Sequence, residues 1–456
     1  MAGVGVLPDD GPVTDTSALV AALTDLLPGR VVTPGEPAFD PAALVAFDPG
    51  PVKPAAIVRP RDGRDVARIL PLVGEAGLAV TVRTGGHSYA GRSLVDGGVV
   101  LDLADLDAVE IDPATSTGRA GGGTTAGRYT SLAGEHGLAT GFGDTGGVGI
   151  AGLTLGGGMG LLSRRFGLTV DDLLGAELVT ADGRVLEVDD DREPDLFWAL
   201  RGGGAGLGVV TGLRFRLHPV TTVTQGMLFF EPDAELLAAL VAYLADAPDE
   251  LASMVNVMAA PPIPILPAER HGRPVIMLLL VHSGDPGEGQ RLVADVRAIA
   301  SPLAERVAQV PYSGVLGEFG FHGMGVVTGT GFADEFGTHR AAHAVDTVTS
   351  GGRAIVNLRP MGGAIARVAA DATAFAHRDR RVMVTVLSLA PDRATAQLAA
   401  SAVDELTSSL TDGIAGYVNF LRSRPDAAER AYPPATRERL AAVRAAYDPG
   451  NLFRAQ

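Results

Sequence analysis

Sixty of the 456 residues are glycine, and the first half of the chain gathers them into three runs, Arg83 to Gly91 (RTGGHSYAG), Gly141 to Gly160 and Gly202 to Gly208. A glycine inside a helix costs about 1 kcal/mol, so no long helix is expected to cross these runs. Glycine also lets the backbone approach a ligand closely and aim N–H groups at phosphate oxygens. A single run reads as a tight turn in a compact domain. Three spread along one block favour an extended, pyrophosphate-bearing ligand.

Around these runs the block to Pro219 alternates short strands and helices. Val66, Ala67, Ile69, Leu70 and Val73 recur at helical spacing, and Gly77 supplies a stop before a strand from Leu78 to Arg83. Asp182-Gly183 separates two β-branched runs and predicts a hairpin whose two turn residues both take positive φ. Gly208 to Leu217 reads as a further strand. From Val220 to Leu410 glycine thins out. Val275 to His282 leads to Asp285-Pro286 and an apolar-periodic run from Gln290 to Ala300, and Val382 to Leu389 leads to Pro391-Asp392 and a similar run from Thr395 to Leu406. This repeated strand–turn–helix unit predicts helices covering one face of a sheet. The remainder, with GYVNF, a helix from Thr436 to Tyr447 and DPGNLF, is too short to bury a core of its own and must pack back on an earlier domain. The expected division is 1–219, 220–410 and 411–456.

A net charge of −16, with no run of Arg or Lys, disfavours nucleic acid and anionic membrane surfaces as partners. No stretch reaches the roughly 18 apolar residues of a membrane span, and no signal peptide is visible, so cytoplasmic residence is expected. The chain has no cysteine, which removes disulfides, thiolate nucleophiles, zinc–thiolate and iron–sulfur sites together. Gly147, Gly149 and Gly152 spell GxGxxG, but LTLGGGMG follows where a dinucleotide-binding helix should run. Ser88 in GHSYA is one methyl from a nucleophile elbow, yet a glycine-punctuated stretch replaces the helix the elbow needs. His339 and His343 share a helix face without the glutamate of a zinc-hydrolase motif, so they read as solvated and no metal site is expected.

The segments PAAIVRPRDGRDVARIL, VRTGGHSYAG, VGIAGLTLGGGMGLLSRRFGLTVDDLL, DLFWALRGGGAGLGVVTGLRFRLHPV, GGAIARVAADATAFAHRDRRVMV, YVNF and YDPGNLF, in this order, resemble the berberine bridge enzyme-like oxidases of the vanillyl-alcohol oxidase and p-cresol methylhydroxylase (PCMH) superfamily. The resemblance implies an α+β, two-domain PCMH-type FAD-binding fold with an inserted antiparallel-sheet substrate domain and a C-terminal segment returning to the FAD domain. It implies FAD bonded covalently to His87, with Arg83, Thr84, Gly85, Gly86 and Ser88 around the pyrophosphate. Gly152, Thr154, Gly156, Gly157 and Gly158 would lie along the flavin, and Gly208, Val209 and Val210 at the adenosine end. Many relatives add a bond from a cysteine; the matching position here is Thr145, so a singly attached flavin is expected.

The same resemblance makes Tyr417 the base, with Asn419 orienting it or the flavin. A phenol starts near pKa 10, so its surroundings decide whether it can serve. Tyr312 stands just before, and His322 within, a stretch, Gly314 to Phe336, that departs from the family, and both are candidates for contacting substrate. The expected activity is oxidation of a hydroxyl-bearing small molecule, a secondary metabolite or a sugar, by hydride transfer to flavin N5, with molecular oxygen as acceptor and hydrogen peroxide released. The alternatives are an oxidative cyclase or tailoring oxygenase, and a redox-silent flavin-containing binding protein. Oligomeric state is not legible.

Overall fold

The computed structural model describes residues 16–317 and 323–454. The helix Gly63–Glu75 starts where the Asp62 carboxylate accepts from Asp65 N at 2.9 Å, buries Val66, Ile69, Leu70 and Val73, and stops before Gly77, whose φ is +69°. Its apolar stripe packs on a four-stranded sheet ordered Val31–Val32, Ala56–Val58, Val99–Asp102, Val80–Arg83, in which the last three strands are parallel. Beside it lies a five-stranded antiparallel sheet ordered Val109–Asp112, Thr117–Gly121, Val209–Arg216, Leu173–Val179, Val185–Val188.

The hairpin expected at Asp182-Gly183 forms, with Val179 opposite Val185, but its turn differs from the expectation. Of the pair only Gly183 has positive φ, +82°. The loop is longer than two residues: Thr180 N donates to Arg184 O at 3.0 Å, and the Thr180 hydroxyl bonds the Asp182 carboxylate, so side-chain contacts supply what a two-residue turn would take from backbone strain.

The second unit is a seven-stranded antiparallel sheet ordered Ala304–Pro311, Thr222–Phe230, Pro274–His282, Leu251–Ala259, Ala354–Pro360, Val382–Ala390, Gly325–Ala333. The strand–turn–helix repeat runs wider than its two sequence instances. Strand, helix, strand, strand, helix occurs once from Thr222 to Ile299 and again from Gly325 to Leu410. The copies meet where Leu251–Ala259 pairs with Ala354–Pro360, and at that seam Asn357 Nδ2 donates to Asn256 Oδ1 at 2.7 Å. One difference concerns the run expected from Thr395 to Leu406. It is two helices, Arg393–Gln397 and Ala400–Leu410, broken at the exposed Leu398.

Alternation along the strands sorts the sheet's two faces. Val255, Val257, Val356, Leu358, Val384 and Val386 pack under the helices Ala234–Ala245, Pro286–Ile299, Thr338–Thr349 and Ala400–Leu410. Met254, Asn256, Asn357 and Arg359 therefore turn to the other face, toward the first unit. After the sheet the chain goes back: Leu440 and Val443 of the helix Pro434–Tyr447 join the cluster of Leu196 to Leu200, and Leu452 joins that of Ala56, Val58 and Val80.

Candidate active site

A cavity of about 610 Å³ opens where the glycine runs, the sheet's free face and the C-terminal segment meet. Its walls depend on backbone contacts that only glycine permits. A Cβ on Gly85 would come within 2.3 Å of Gly149 N, so the loop after the strand Val80–Arg83 can lie directly on the loop before the helix Ile150–Leu155. A Cβ on Gly156 would fall 1.9 Å from Asn419 Oδ1, so Gly156 is what admits the Asn419 amide.

Tyr417 is almost fully buried, in a tight turn closed by Phe420 N and Leu421 N donating to Tyr417 O. Three N–H groups converge on its phenol oxygen, from Gly158 N at 2.9 Å, Met159 N at 3.2 Å and Asn419 Nδ2 at 2.9 Å. Asn419 Nδ2 also donates to Leu153 O at 2.9 Å, which fixes the amide orientation. Burial raises the Tyr417 phenol above its ordinary value, while the Met159 and Gly158 N–H groups, the Asn419 amide and the Arg359 charge pull it back. Such convergence of donors suits a phenolate, which has the lone pairs to accept all three.

Beside Tyr417 stands an aromatic wall. Tyr417 and Tyr89 each meet Phe420 edge-on, with centroids 5.2 and 5.6 Å apart, and Phe47 stacks on Tyr89 at 4.7 Å. Burial and then the Asp144 charge push the Tyr89 phenol up to about 12, against the opposing Arg359 charge. Arg359 itself pairs with Asp144 at 2.6 Å. His87 is half-buried in the same wall, edge-on to Phe47 at 6.4 Å.

A second group of lining residues is cationic and glycine-rich. Arg92, Arg444 and Tyr432 interact electrostatically; Arg444 Nη2 donates to Gly203 O at 3.1 Å and Tyr432 Oη to Gly202 O at 3.3 Å. Gly203, Gly204 and Gly206 complete this part of the wall. Arginines beside cavity-lining glycine backbone suit a diphosphate, and the aromatic group with His87 suits a flat ring. The residues present therefore fit FAD.

Of the residues singled out from sequence, Thr84, Gly86, His87, Ser88, Thr145, Gly152, Gly208, Val210, Tyr417 and Asn419 line the cavity. Gly85, Thr154, Gly156, Gly157, Gly158 and Val209 stand behind the wall. Arg83 turns away: its guanidinium pairs with Asp102 at 2.6 Å and reaches the Ala42 and Leu44 carbonyls, so only its backbone could meet a phosphate. Thr145 donates to Asp144 Oδ1 at 2.8 Å and, as a threonine, offers no sulfur to a ring. Tyr312 does not reach the cavity. It is 1% exposed among Leu161, Leu162, Met254, Leu279 and Val281, and burial raises its phenol. His322 lies outside the described residues. His339 and His343 sit 4.6 Å apart, and the described residues contain no cluster of three metal-ligating side chains.

Sequence reasoning missed Phe47, Tyr89, Arg92, Asp144, Arg359 and Arg444. Tyr89 and Asp144 adjoin Ser88 and Thr145 and were findable by proximity. Arg359 was not, because only the packing of the sheet's free face against the first unit brings it to Asp144.

Residues 54–189 match a family described as FAD binding domain, and the chain is similar to berberine bridge enzyme-like proteins. Among its relatives, (R)-6-hydroxynicotine oxidase of Paenarthrobacter nicotinovorans is 34% identical over 289 residues, which is 63% of this chain and 62% of that protein. The chain thus aligns with less than two thirds of that relative's length. Berberine bridge enzyme-like C-2 of Nicotiana tabacum is 35% identical over 196 residues, 41% of this chain and 34% of the relative. Among solved structures, 6-hydroxy-D-nicotine oxidase of Arthrobacter nicotinovorans superposes with a TM-score of 0.82 at 29% identity, covering 93% of this chain and 96% of that one.

Proposed function

We propose that the protein is an FAD-dependent oxidase with its flavin bonded once, through His87, and that it oxidises a hydroxyl-bearing small molecule while reducing oxygen to hydrogen peroxide. The observation that carries this is the Tyr417 oxygen, held by three N–H donors in the wall that also holds His87. FAD, when bound, supplies the hydride acceptor. Tyr417 takes the hydroxyl proton as the carbon gives up hydride, and the N–H groups of Gly158, Met159 and Asn419 stabilise the phenolate that accepts it. Two electrons and two protons leave the alcohol, giving the carbonyl, and both pairs are accounted for in peroxide. Arg359 holds positive charge near both phenols and favours their deprotonation. The relatives named for nicotine oxidation and for FAD-linked oxidoreduction support an oxidase of this kind.

Two measurements test it. Denatured protein run on a gel is expected to keep ultraviolet-excited flavin fluorescence, and His87→Ala to lose it; full release of flavin from the wild type into acid supernatant would refute the covalent link. Reduction under nitrogen by a member of an alcohol panel is expected to bleach the flavin, and air to restore it with peroxide formed. A bleached flavin that only an artificial dye reoxidises makes the protein a dehydrogenase.

A further inference from the structure

The free face of the sheet presents one cation to the cavity, and its surroundings leave it with unused valence. Arg359 Nε donates to Asn357 Oδ1 at 2.8 Å, Nη2 meets Asp144 Oδ2 at 2.6 Å, and the guanidinium carbon lies 5.3 Å from the Phe420 centroid. Asn357 is itself tied to Asn256, so the fork is fixed on three sides. Asp144 is engaged at both oxygens, since Oδ1 accepts from Thr145 Oγ1 at 2.8 Å. A guanidinium has five N–H groups, and among the described residues none accepts from Nη1. What the ion pair offers the cavity is therefore donor capacity in a planar fork. The side chain is only 13% exposed, so water screens it weakly. Around it the wall is aromatic, formed by Phe420, by Tyr89 edge-on to it and by Phe47 stacked on Tyr89.

We infer that the substrate is an aromatic alcohol that carries an anionic oxygen, carboxylate or phenolate, and that Arg359 binds this oxygen while the hydroxyl faces Tyr417. The inference rests on the reading of Tyr417 given above, and it makes Arg359 the residue that sets specificity. A protonated amine in the same place would face the guanidinium's open donors and be repelled, which separates this cavity from one built for a cationic substrate. Bidentate, charge-assisted bonds of this kind discriminate by roughly ten- to a hundredfold against a neutral analogue.

The test uses dead-end ligands, so it does not depend on turnover. Benzoate, methyl benzoate and benzylamine are titrated into the flavin-loaded protein, with binding followed by the flavin absorbance change and by calorimetry. Benzoate is expected to bind about tenfold or more tightly than its ester, with benzylamine weakest. Arg359→Gln is expected to abolish the benzoate preference and Arg359→Lys, which keeps charge without the fork, to retain part of it, with flavin content and melting temperature measured for each. A wild-type preference below about threefold overturns the inference, as does a preference that persists in Arg359→Gln. If Arg359→Gln does not fold, an undiminished preference in Arg359→Lys overturns the fork and a reduced one supports it. Benzoate selectivity without oxidation of any alcohol would sink the oxidase reading and leave the anion site standing; oxidation without selectivity would do the reverse.

Discussion

Tyr417 is set between opposing effects whose balance determines how the site responds to pH. Burial raises its phenol, and three N–H donors with the Arg359 charge act against that without fully offsetting it. A base must be deprotonated to work, so the deprotonated fraction grows with pH, and a raised value moves that growth upward. The rate of anaerobic flavin reduction is therefore expected to climb from neutral pH into the alkaline range, with no plateau below about pH 10. Tyr417→Phe is expected to lower this rate by about 10²- to 10⁴-fold and to flatten its pH profile. The variant keeps ring volume, but the structure shows a cost that volume alone conceals. The N–H groups of Gly158 and Met159 lose their acceptor in a buried place, so a destabilisation of about 1–3 kcal/mol should accompany the lost rate, read from denaturant unfolding. A rate within about threefold of wild type would put the base elsewhere. Tyr417 and Asn419 were legible in the chain because the motif holding them is local. The donors that complete them lie some 259 residues away, and no spacing rule connects Gly158 to Tyr417.

Between elements, the joint with most at stake is the buried pair of Arg378 and Asp171. Arg378 is 1% exposed on its side chain, bonds both Asp171 oxygens at 3.0 and 2.7 Å, and also donates to Thr373 Oγ1 at 2.8 Å. Asp171 caps the turn at Leu168 by accepting its N–H at 2.8 Å, next to the backbone bonds that tie Thr169 and Val170 to Gly158 and Gly157. The pair thus couples a loop that leads into the strand Val382–Ala390 to the glycine run behind Tyr417. Replacing Arg378 with methionine leaves a buried carboxylate without its partner, and such breaks cost about 3–5 kcal/mol. The expected result is a loss of that size in unfolding free energy, and a loss below about 1 kcal/mol would mean that Asp171 finds water or another partner. At this scale the sequence was legible where periodicity rules: the helix at Gly63–Glu75 and the strands at Val209–Arg216 and Val382–Ala390 stand where apolar spacing puts them. It misled where side chains outbid the backbone pattern, as in the Thr180 to Arg184 loop, and where a helix breaks at an exposed leucine that a periodicity count treats as buried.

Across the whole molecule, the segment after Leu410 is what makes the first unit complete. Val418, Leu421, Tyr432, Leu440 and Val443 lie in one cluster with Leu196 to Leu200, Leu452 lies under the parallel strands, and Leu452 O accepts from Val80 N at 2.9 Å. Each buried side chain of this kind contributes about 1.5–3 kcal/mol, so the six together are comparable with the roughly 5–15 kcal/mol by which a domain is ordinarily stable. The helix-covered face of the seven-stranded sheet does not draw on them, since its cluster is made of residues from Leu228 to Leu410. A chain ending at Leu410 is therefore expected to lose one unit and keep the other. Trp198, the only tryptophan, separates the two signals: it is 6% exposed in the first unit, and Arg439 of the C-terminal helix lies 4.0 Å over its ring. In the truncated chain Trp198 emission is expected to shift to the red of the full-length protein and to show no cooperative melting, while far-ultraviolet circular dichroism keeps a transition of reduced amplitude from the sheet. FAD should fail to bind, because Tyr432, Arg444 and Tyr417 leave with the segment. A truncated chain whose Trp198 signal melted cooperatively near the full-length midpoint would show that the first 219 residues hold their core unaided, and the C-terminal segment would then serve the cavity alone.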